Sequence, residues 1–279
     1  MHPIEHLRYV ARAQGADAAA LVEETAHALG SLRFDPSGIV VACRRIVERH
    51  PFTGALWWLC ANVTTSVEPF DAVWELAETI RGDRTGAELA AELPDDATVV
   101  TIGAPPLVGD GLIRRGDVRV LVHDVDHAAT QFLRRLERHD VDCDPLDAGA
   151  AGPATRVADV VVIEALALDT DRIVAPMGSS TIAAAARAWE TPVWLVAGVG
   201  RRLPSPMLDA MVERYDELTD AAGRREPGDS YDPWDLDIEI LPAGLITDVV
   251  GPHGRLPMGP HAARPECAMA YELLKASPM

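Results

Sequence analysis

Residues 158–198 decide the fold, and they read ADVVVIEALALDTDRIVAPMGSSTIAAAARAWETPVWLVAG. The stretch opens on a short apolar, valine-rich run, Ala158–Ile163, which is typical of a buried parallel strand. An alanine-rich segment, Ser179–Trp189, then predicts a helix, and Pro192–Val199 predicts the next strand. This alternation indicates an α/β fold with a parallel sheet, in which ligands bind at the carboxyl ends of the strands.

The same alternation extends upstream to residue 97. Short apolar runs predict strands at Ala97–Ile102, at Val118–Val122 and from Val141 onward. Helical spacing predicts helices at Leu107–Arg115 and Ala128–Arg138 between them. Strands and helices in this order favour a doubly wound, Rossmann-like arrangement.

Residues 1–90 show a different period. Their apolar side chains recur at helical spacing, which predicts four helices, at Asp17–Leu32, Ser37–His50, Thr53–Val63 and Pro69–Arg81. We therefore expect an N-terminal helical domain at residues 1–94 and an α/β domain at residues 95–279. Within the second domain the acidic stretch Glu226–Glu239 is expected to be a surface loop, and Pro265–Ala276 a last helix.

The composition excludes several function classes. The 279 residues include 43 acidic and 25 basic side chains, for a formal net charge of −18. An acidic chain of this kind is a poor candidate for direct binding to nucleic acid or to an anionic membrane. No apolar run approaches the roughly 20 residues that span a bilayer, no signal peptide is visible and no cysteines form a CxxC pair. A cytoplasmic protein without a metal or a cofactor is expected.

Several phrases resemble the initiation-factor-2B-like family. The match is ungapped over Asp159–Ser180, and weaker similarity occurs at Arg12–Val22, Ala97–Pro106 and Pro242–Leu256. That family includes subunits of translation initiation factor 2B, and isomerases of methylthioribose 1-phosphate and ribose 1,5-bisphosphate. The resemblance implies a helical domain followed by a Rossmann-like domain, a site between the two, and a homodimer.

The departures from the family pattern occur at its acid–base and substrate-binding positions. The isomerases use a cysteine and an aspartate as their acid–base pair, and these positions fall on Gly103 and Leu166. The Asn-Lys pair that holds the substrate falls on Ala175 and Pro176. These side chains neither transfer protons nor donate hydrogen bonds to a phosphate, so the isomerase mechanism does not carry over. Gly103 instead resembles the glycine that the regulatory subunits carry there.

These departures do not exclude a role in binding a ligand. The resemblance implies substrate-binding positions at Gly15, Ala16, Gly103, Gly178, Ser179 and Ser180. The serines stand at the predicted start of a helix, where free N–H groups and the helix dipole attract anions. Alternatively, Ser179 or Ser180 simply caps the helix, and Gly15 marks close packing.

Glu164 is the best acid–base candidate. It stands at the end of an apolar strand, where a carboxylate would enter the crevice beyond the sheet. A hydrogen-bonded structural carboxylate is the alternative. The segment His123–His127, HDVDH, also follows a strand directly, and its side chains suit either a metal ion or a solvated loop.

Three functions remain open. The first is a non-catalytic regulatory or scaffold protein that binds a phosphorylated sugar or a nucleotide. The second is a sugar-phosphate isomerase with a rebuilt site that uses Glu164 and His123 or Asp124. The third is a translation-factor subunit that acts by protein–protein contact.

Overall fold

Helices form the first part of the chain. The computed structural model describes residues 18–32, 36–124, 129–223 and 236–275. Its first helices are α1 (Ala18–Gly30), α2 (Pro36–Arg49), α3 (Gly54–Thr65), α4 (Pro69–Arg81) and α5 (Thr85–Glu92). The first four lie where the apolar spacing predicts them, whereas α5 was not predicted.

Strands and helices alternate after α5. The strands are β1 (Thr98–Ile102), β2 (Arg119–His123), β3 (Asp142–Leu146), β4 (Val160–Glu164), β5 (Ala167–Leu168), β6 (Arg172–Pro176), β7 (Val193–Val196), β8 (Ile238–Pro242), β9 (Asp248–Gly251) and β10 (Gly254–Pro257). The helices are α6 (Pro106–Arg115), α7 (Thr130–Glu137), α8 (Ala151–Val157), α9 (Ser179–Ala188) and α10 (Ser205–Gly223).

The main sheet confirms the predicted fold class. Seven strands lie in the order β10-β9-β7-β4-β1-β2-β3, and all pairs are parallel except β9 with β10. Thr101 of β1 pairs with Val122 on one side and with Val162 on the other. The carboxyl ends of the central strands are therefore level, and this is the edge at which open α/β sheets bind ligands. A smaller antiparallel sheet, β5-β6-β8, stands beside this one.

Helices cover both faces of the main sheet. On one face, side chains such as Val99 and Val162 pack with Leu112 of α6 and Phe132 of α7. On the other, Val100 and Val161 share a core with α8 and α9. Since both faces are buried, the strands read as continuous apolar runs.

The hydrophobic cores do not follow the order of the chain. Leu89 of α5 packs with Val99 of the sheet, although it precedes residue 95. Met207 and Met211 of α10 pack with Leu56 of α3 in the helical core. The helical part therefore draws side chains from both ends of the chain.

Two predictions about the C-terminal region are wrong. Pro265–Ala276 does not form a helix, and in the part of it that is described only Tyr271–Leu274 makes a helical turn, of the 3₁₀ type. The backbone of Glu266 bonds Arg202 and Trp58 instead, so it is engaged in tertiary contacts. The other error is the end of the acidic loop, because Glu239 lies in β8.

Within the described residues, every helix is too short or too polar to cross a membrane.

Candidate functional site at the carboxyl edge of the sheet

Glu164 ends β4 with its carboxylate on the start of α6. Its Oε2 accepts hydrogen bonds from the backbone N–H of Leu107 at 2.9 Å and of Val108 at 3.3 Å. The residue is 5% exposed. A helix N-terminus stabilises a carboxylate through its unpaired N–H groups and its dipole. The contacts are those of the structural alternative, and they hold the Glu164 carboxyl group in a hydrogen-bonded position.

Gly103 lies level with Glu164. It follows β1, has a φ of 67° and donates its N–H to the carbonyl of His123 at 3.0 Å. A side chain added at Gly103 would meet no atom within 4 Å, so the space beyond this strand end is open. The positive φ is a conformation that glycine adopts without strain. The structure thus brings together Gly103 and Glu164, two of the predicted site residues.

Gly178, Ser179 and Ser180 lie at the start of α9, next to the small sheet. Gly178 has a φ of 93°, and the buried Ser179 donates its hydroxyl to the carbonyl of Pro176 at 2.6 Å. The N–H and the hydroxyl of Ser180 both bond the carboxylate of Glu239, at 2.8 and 2.5 Å. A side chain of the protein itself therefore occupies this helix N-terminus, and a ligand would have to displace it.

Glu239 also acts on a neighbouring tyrosine. Burial, together with the negative charge of Glu239, raises the pKa of Tyr215. Sequence reasoning missed Glu239 because it assigned the residue to a surface loop. Its role depends on a partner in a distant part of the chain, Ser180, which no local pattern signals.

Arg201 is the most unusual side chain at this edge. It follows β7, is 5% exposed and donates from Nε to the carbonyl of Ala165 at 3.2 Å. Its Nη1 is buried and bonds no acceptor in the described part of the chain. A buried cationic group with an unsatisfied N–H is costly, so it calls for a physical explanation, such as an anion bound beside it. No local pattern in the sequence signals the burial of Arg201.

His123 ends β2 and is 6% exposed. Its Nδ1 is buried and has no hydrogen-bond partner in the described residues. Burial lowers the pKa of His123, and the opposing effect of Asp124 is smaller. The imidazole is therefore held neutral at pH 7. Asp124, next along the chain, accepts a hydrogen bond from the N–H of Ala129 at 3.1 Å, before α7.

The helical part packs closely on this edge. Asp83 accepts a hydrogen bond from the N–H of Val199 at 2.8 Å. The N–H of Gly54 donates to the carbonyl of Leu166 at 3.0 Å. Leu166 stands where the isomerases carry their aspartate, so at that position the chain supplies a backbone contact between its two parts and no acid–base group.

The remaining predicted residues fall partly outside the described ranges. Gly15 and Ala16 lie there, as do Val125, Asp126 and His127 of the segment His123–His127. Within the described ranges, no three metal-ligating side chains come together.

No protein-family model matches the sequence, and no curated protein matches it significantly. Solved structures do match. A translation initiation factor eIF-2B from Pyrococcus horikoshii OT3 is 15% identical, with a TM-score of 0.74, over 94% of this chain and 98% of that one. The tetrameric eIF2B-beta2-delta2 complex from Chaetomium thermophilum is 13% identical, with a TM-score of 0.71, over 94% and 92%. eIF2B beta from the same organism is 11% identical, with a TM-score of 0.68, over 92% and 88%.

These similarities extend over almost the whole chain, and they agree with the resemblance seen in its sequence motifs. This chain therefore has the fold of the translation initiation factor eIF2B proteins.

Proposed function

We propose that this chain is a non-catalytic member of the initiation-factor-2B-like family that binds a phosphorylated sugar or a nucleotide in a regulatory or scaffold role. The observation that carries the proposal is the buried guanidinium of Arg201, whose Nη1 has no protein acceptor among the described residues. A phosphate oxygen is the acceptor that such a group favours. The open space beyond Gly103 lies at the same edge of the sheet.

The absence of isomerase chemistry rests on separate residues. Leu166 and Gly103 replace the proton-transferring pair, and Glu164 is engaged with the start of α6. A ligand held at this edge would therefore be bound without being converted. Bound ligand would stabilise the packing between the helical part and the sheet, which is how binding would be read out in a regulatory subunit.

A thermal-shift panel of aldose phosphates and nucleotides tests the binding claim. We expect at least one of them to stabilise the parent protein at millimolar concentration, since a ligand of the native state raises the melting temperature by mass action. Arg201→Met should reduce that shift. It should leave the ligand-free protein at least as stable, because it removes a buried charge.

Arg187→Met is the matched control, because Arg187 also donates to a backbone carbonyl, that of Gly244, but at an exposed position on α9. It should leave the ligand-induced shift unchanged. If no sugar phosphate or nucleotide stabilises the parent protein, the ligand claim is wrong.

A rebuilt isomerase is the second candidate, and the observation that favours it is His123. A neutral imidazole whose Nδ1 has no hydrogen-bond partner among the described residues is suited, at a strand end, to act as a base. Turnover of a sugar phosphate by the parent protein, lost in His123→Asn or Glu164→Gln with binding retained, would establish this candidate and exclude the first.

Assembly is a further part of the proposal. We propose a homodimer in the cytoplasm, as the resemblance implies, and one of the similar structures is itself a tetrameric complex. Light scattering on the purified chain would give a dimer mass if this is correct and a monomer mass if it is not.

A further inference from the structure

A second concave surface lies beyond the carboxyl end of β9, at the turn into β10. This β9 pocket is a cavity of about 290 Å³. Four basic side chains line the pocket: Arg202, His253, His261 and Arg264. The apolar side chains Pro252 and Leu256 also line it. In a chain with a net charge of −18, such a concentration of basic groups is unexpected.

Arg202 is held rigidly at one side of the β9 pocket. Its Nη1 pairs with Glu266 at 2.8 Å, and its Nε donates to the carbonyl of Ala262 at 2.8 Å. Its Nη2 packs against Gly251, where an added Cβ would overlap it. Among the described residues, no acceptor bonds Nη2. A guanidinium fixed in this way offers its remaining N–H groups with little loss of side-chain entropy.

The lining of the β9 pocket carries more positive than negative charge. Arg264 is exposed, and its guanidinium forms no ion pair with any described residue. Glu266 is the carboxylate of the lining, and it is already shared between Arg202 and the N–H of Gly200 at 2.6 Å. Two imidazoles, those of His253 and His261, add donors without adding negative charge.

We propose that the β9 pocket binds a small phosphate monoester. The two guanidiniums and the imidazoles suit the dianionic phosphate, for which arginine provides paired donors. Pro252 and Leu256 supply apolar surface for the organic part. The cavity volume is close to the lower end, roughly 300 Å³, of the range for small-molecule sites.

The β9 pocket is distinct from the carboxyl-edge site of Gly103 and Arg201. Glu266 stands between them, with one oxygen on Arg202 in the pocket and the other on Gly200, beside Arg201. The two sites can therefore be tested with separate variants.

Calorimetric titration of the full chain with phenyl phosphate tests the proposal. The parent protein should bind phenyl phosphate saturably at millimolar concentration, and should bind the singly charged phenyl sulfate more weakly. Arg264→Gln should weaken phenyl phosphate binding at least about tenfold, because it removes a charge-assisted donor. Gly251→Ala, which displaces Arg202 without removing charge, should weaken it as well.

Two controls locate the effect. Arg84→Gln removes one positive charge from a side chain that is 73% exposed on another surface, and it should leave binding unchanged. Arg187→Gln changes an exposed arginine outside the lining of the pocket, and it should also leave binding unchanged. The proposal is overturned if the parent does not bind phenyl phosphate, if Arg264→Gln binds it as well as the parent, or if either control variant abolishes binding.

Discussion

At the scale of single residues, two carboxylates near the carboxyl edge of the main sheet stabilise the starts of helices. Glu164 holds the start of α6, and Glu239 holds the start of α9. Both occupy positions where a helix N-terminus would otherwise attract a ligand anion. The anion sites predicted from the sequence are thus partly filled by the chain itself, and Arg201 becomes the group on which the proposed ligand binding depends.

Glu164→Gln should lower the free energy of unfolding by roughly 1 to 2 kcal/mol, because the helix start loses a buried charged acceptor. Urea denaturation at pH 7 measures this. Glu88→Gln is the control, since Glu88 also lies in the first turn of a helix but forms a partly exposed ion pair with Arg84. It should change stability by less than about 0.5 kcal/mol. A Glu164 variant more stable than the parent would favour a functional role over a structural one.

Asp169 makes the free energy of unfolding depend on pH in the acid range. Burial favours a raised pKa for this carboxyl, but hydrogen bonds from Arg172 and the N–H of Asp171 hold the pKa below its ordinary value. A lowered native pKa stabilises the fold above the unfolded value of about 4, and this contribution is lost as the pH falls through the native pKa.

Asp169→Asn should therefore destabilise the protein at pH 7, and the difference from the parent should shrink below about pH 4. Asp209→Asn is the comparison, because Asp209 pairs with the same Arg172 but is 53% exposed. It should show little effect at either pH. A constant difference between the parent and Asp169→Asn down to acid pH would contradict this account.

At the scale of elements, the contact between α3 and the β4–β5 connection joins the two parts of the chain. The N–H of Gly54 bonds the carbonyl of Leu166, and a Cβ on Gly54 would overlap that oxygen. Gly54→Ala should therefore lower the free energy of unfolding by about 1 to 3 kcal/mol, because the added methyl group overpacks this contact. Gly244→Ala has open space at its Cβ and should be nearly neutral. Equal melting temperatures for the two variants would show that this contact is unimportant.

The elements that the sequence predicts are those with a strong local signal. Strands β1 to β4 and β7 of the main sheet and helices α1 to α4 follow directly from apolar periodicity, whereas β9 and β10 were not predicted as strands. Pro265–Ala276 misleads because its apolar side chains pack on the helical core without forming a helix. Glu239 and Arg201 are missed for another reason: their roles are set by partners distant in sequence, Ser180 and Ala165.

At the scale of the whole molecule, the hydrophobic core of the helical part includes side chains from beyond residue 94. Its core includes Met207 and Met211 of α10, Ile238 of β8 and Leu273 near the C-terminus. A fragment of residues 1–94 should therefore lack a cooperative thermal transition by circular dichroism, because α3 would expose the surface that α10 covers. The intact chain should unfold in one transition. A fragment that melts cooperatively by itself would support two independent domains.

The central claim is that this chain binds a sugar phosphate without converting it. One phosphorus NMR experiment on the full chain mixed with ribose 1,5-bisphosphate, repeated with methylthioribose 1-phosphate, tests both halves of it. We expect the resonances of at least one ligand to broaden in the parent protein, to broaden less in Arg201→Met, and to give no new ketose-phosphate resonance. A new product resonance, or no broadening by either ligand, would contradict the claim.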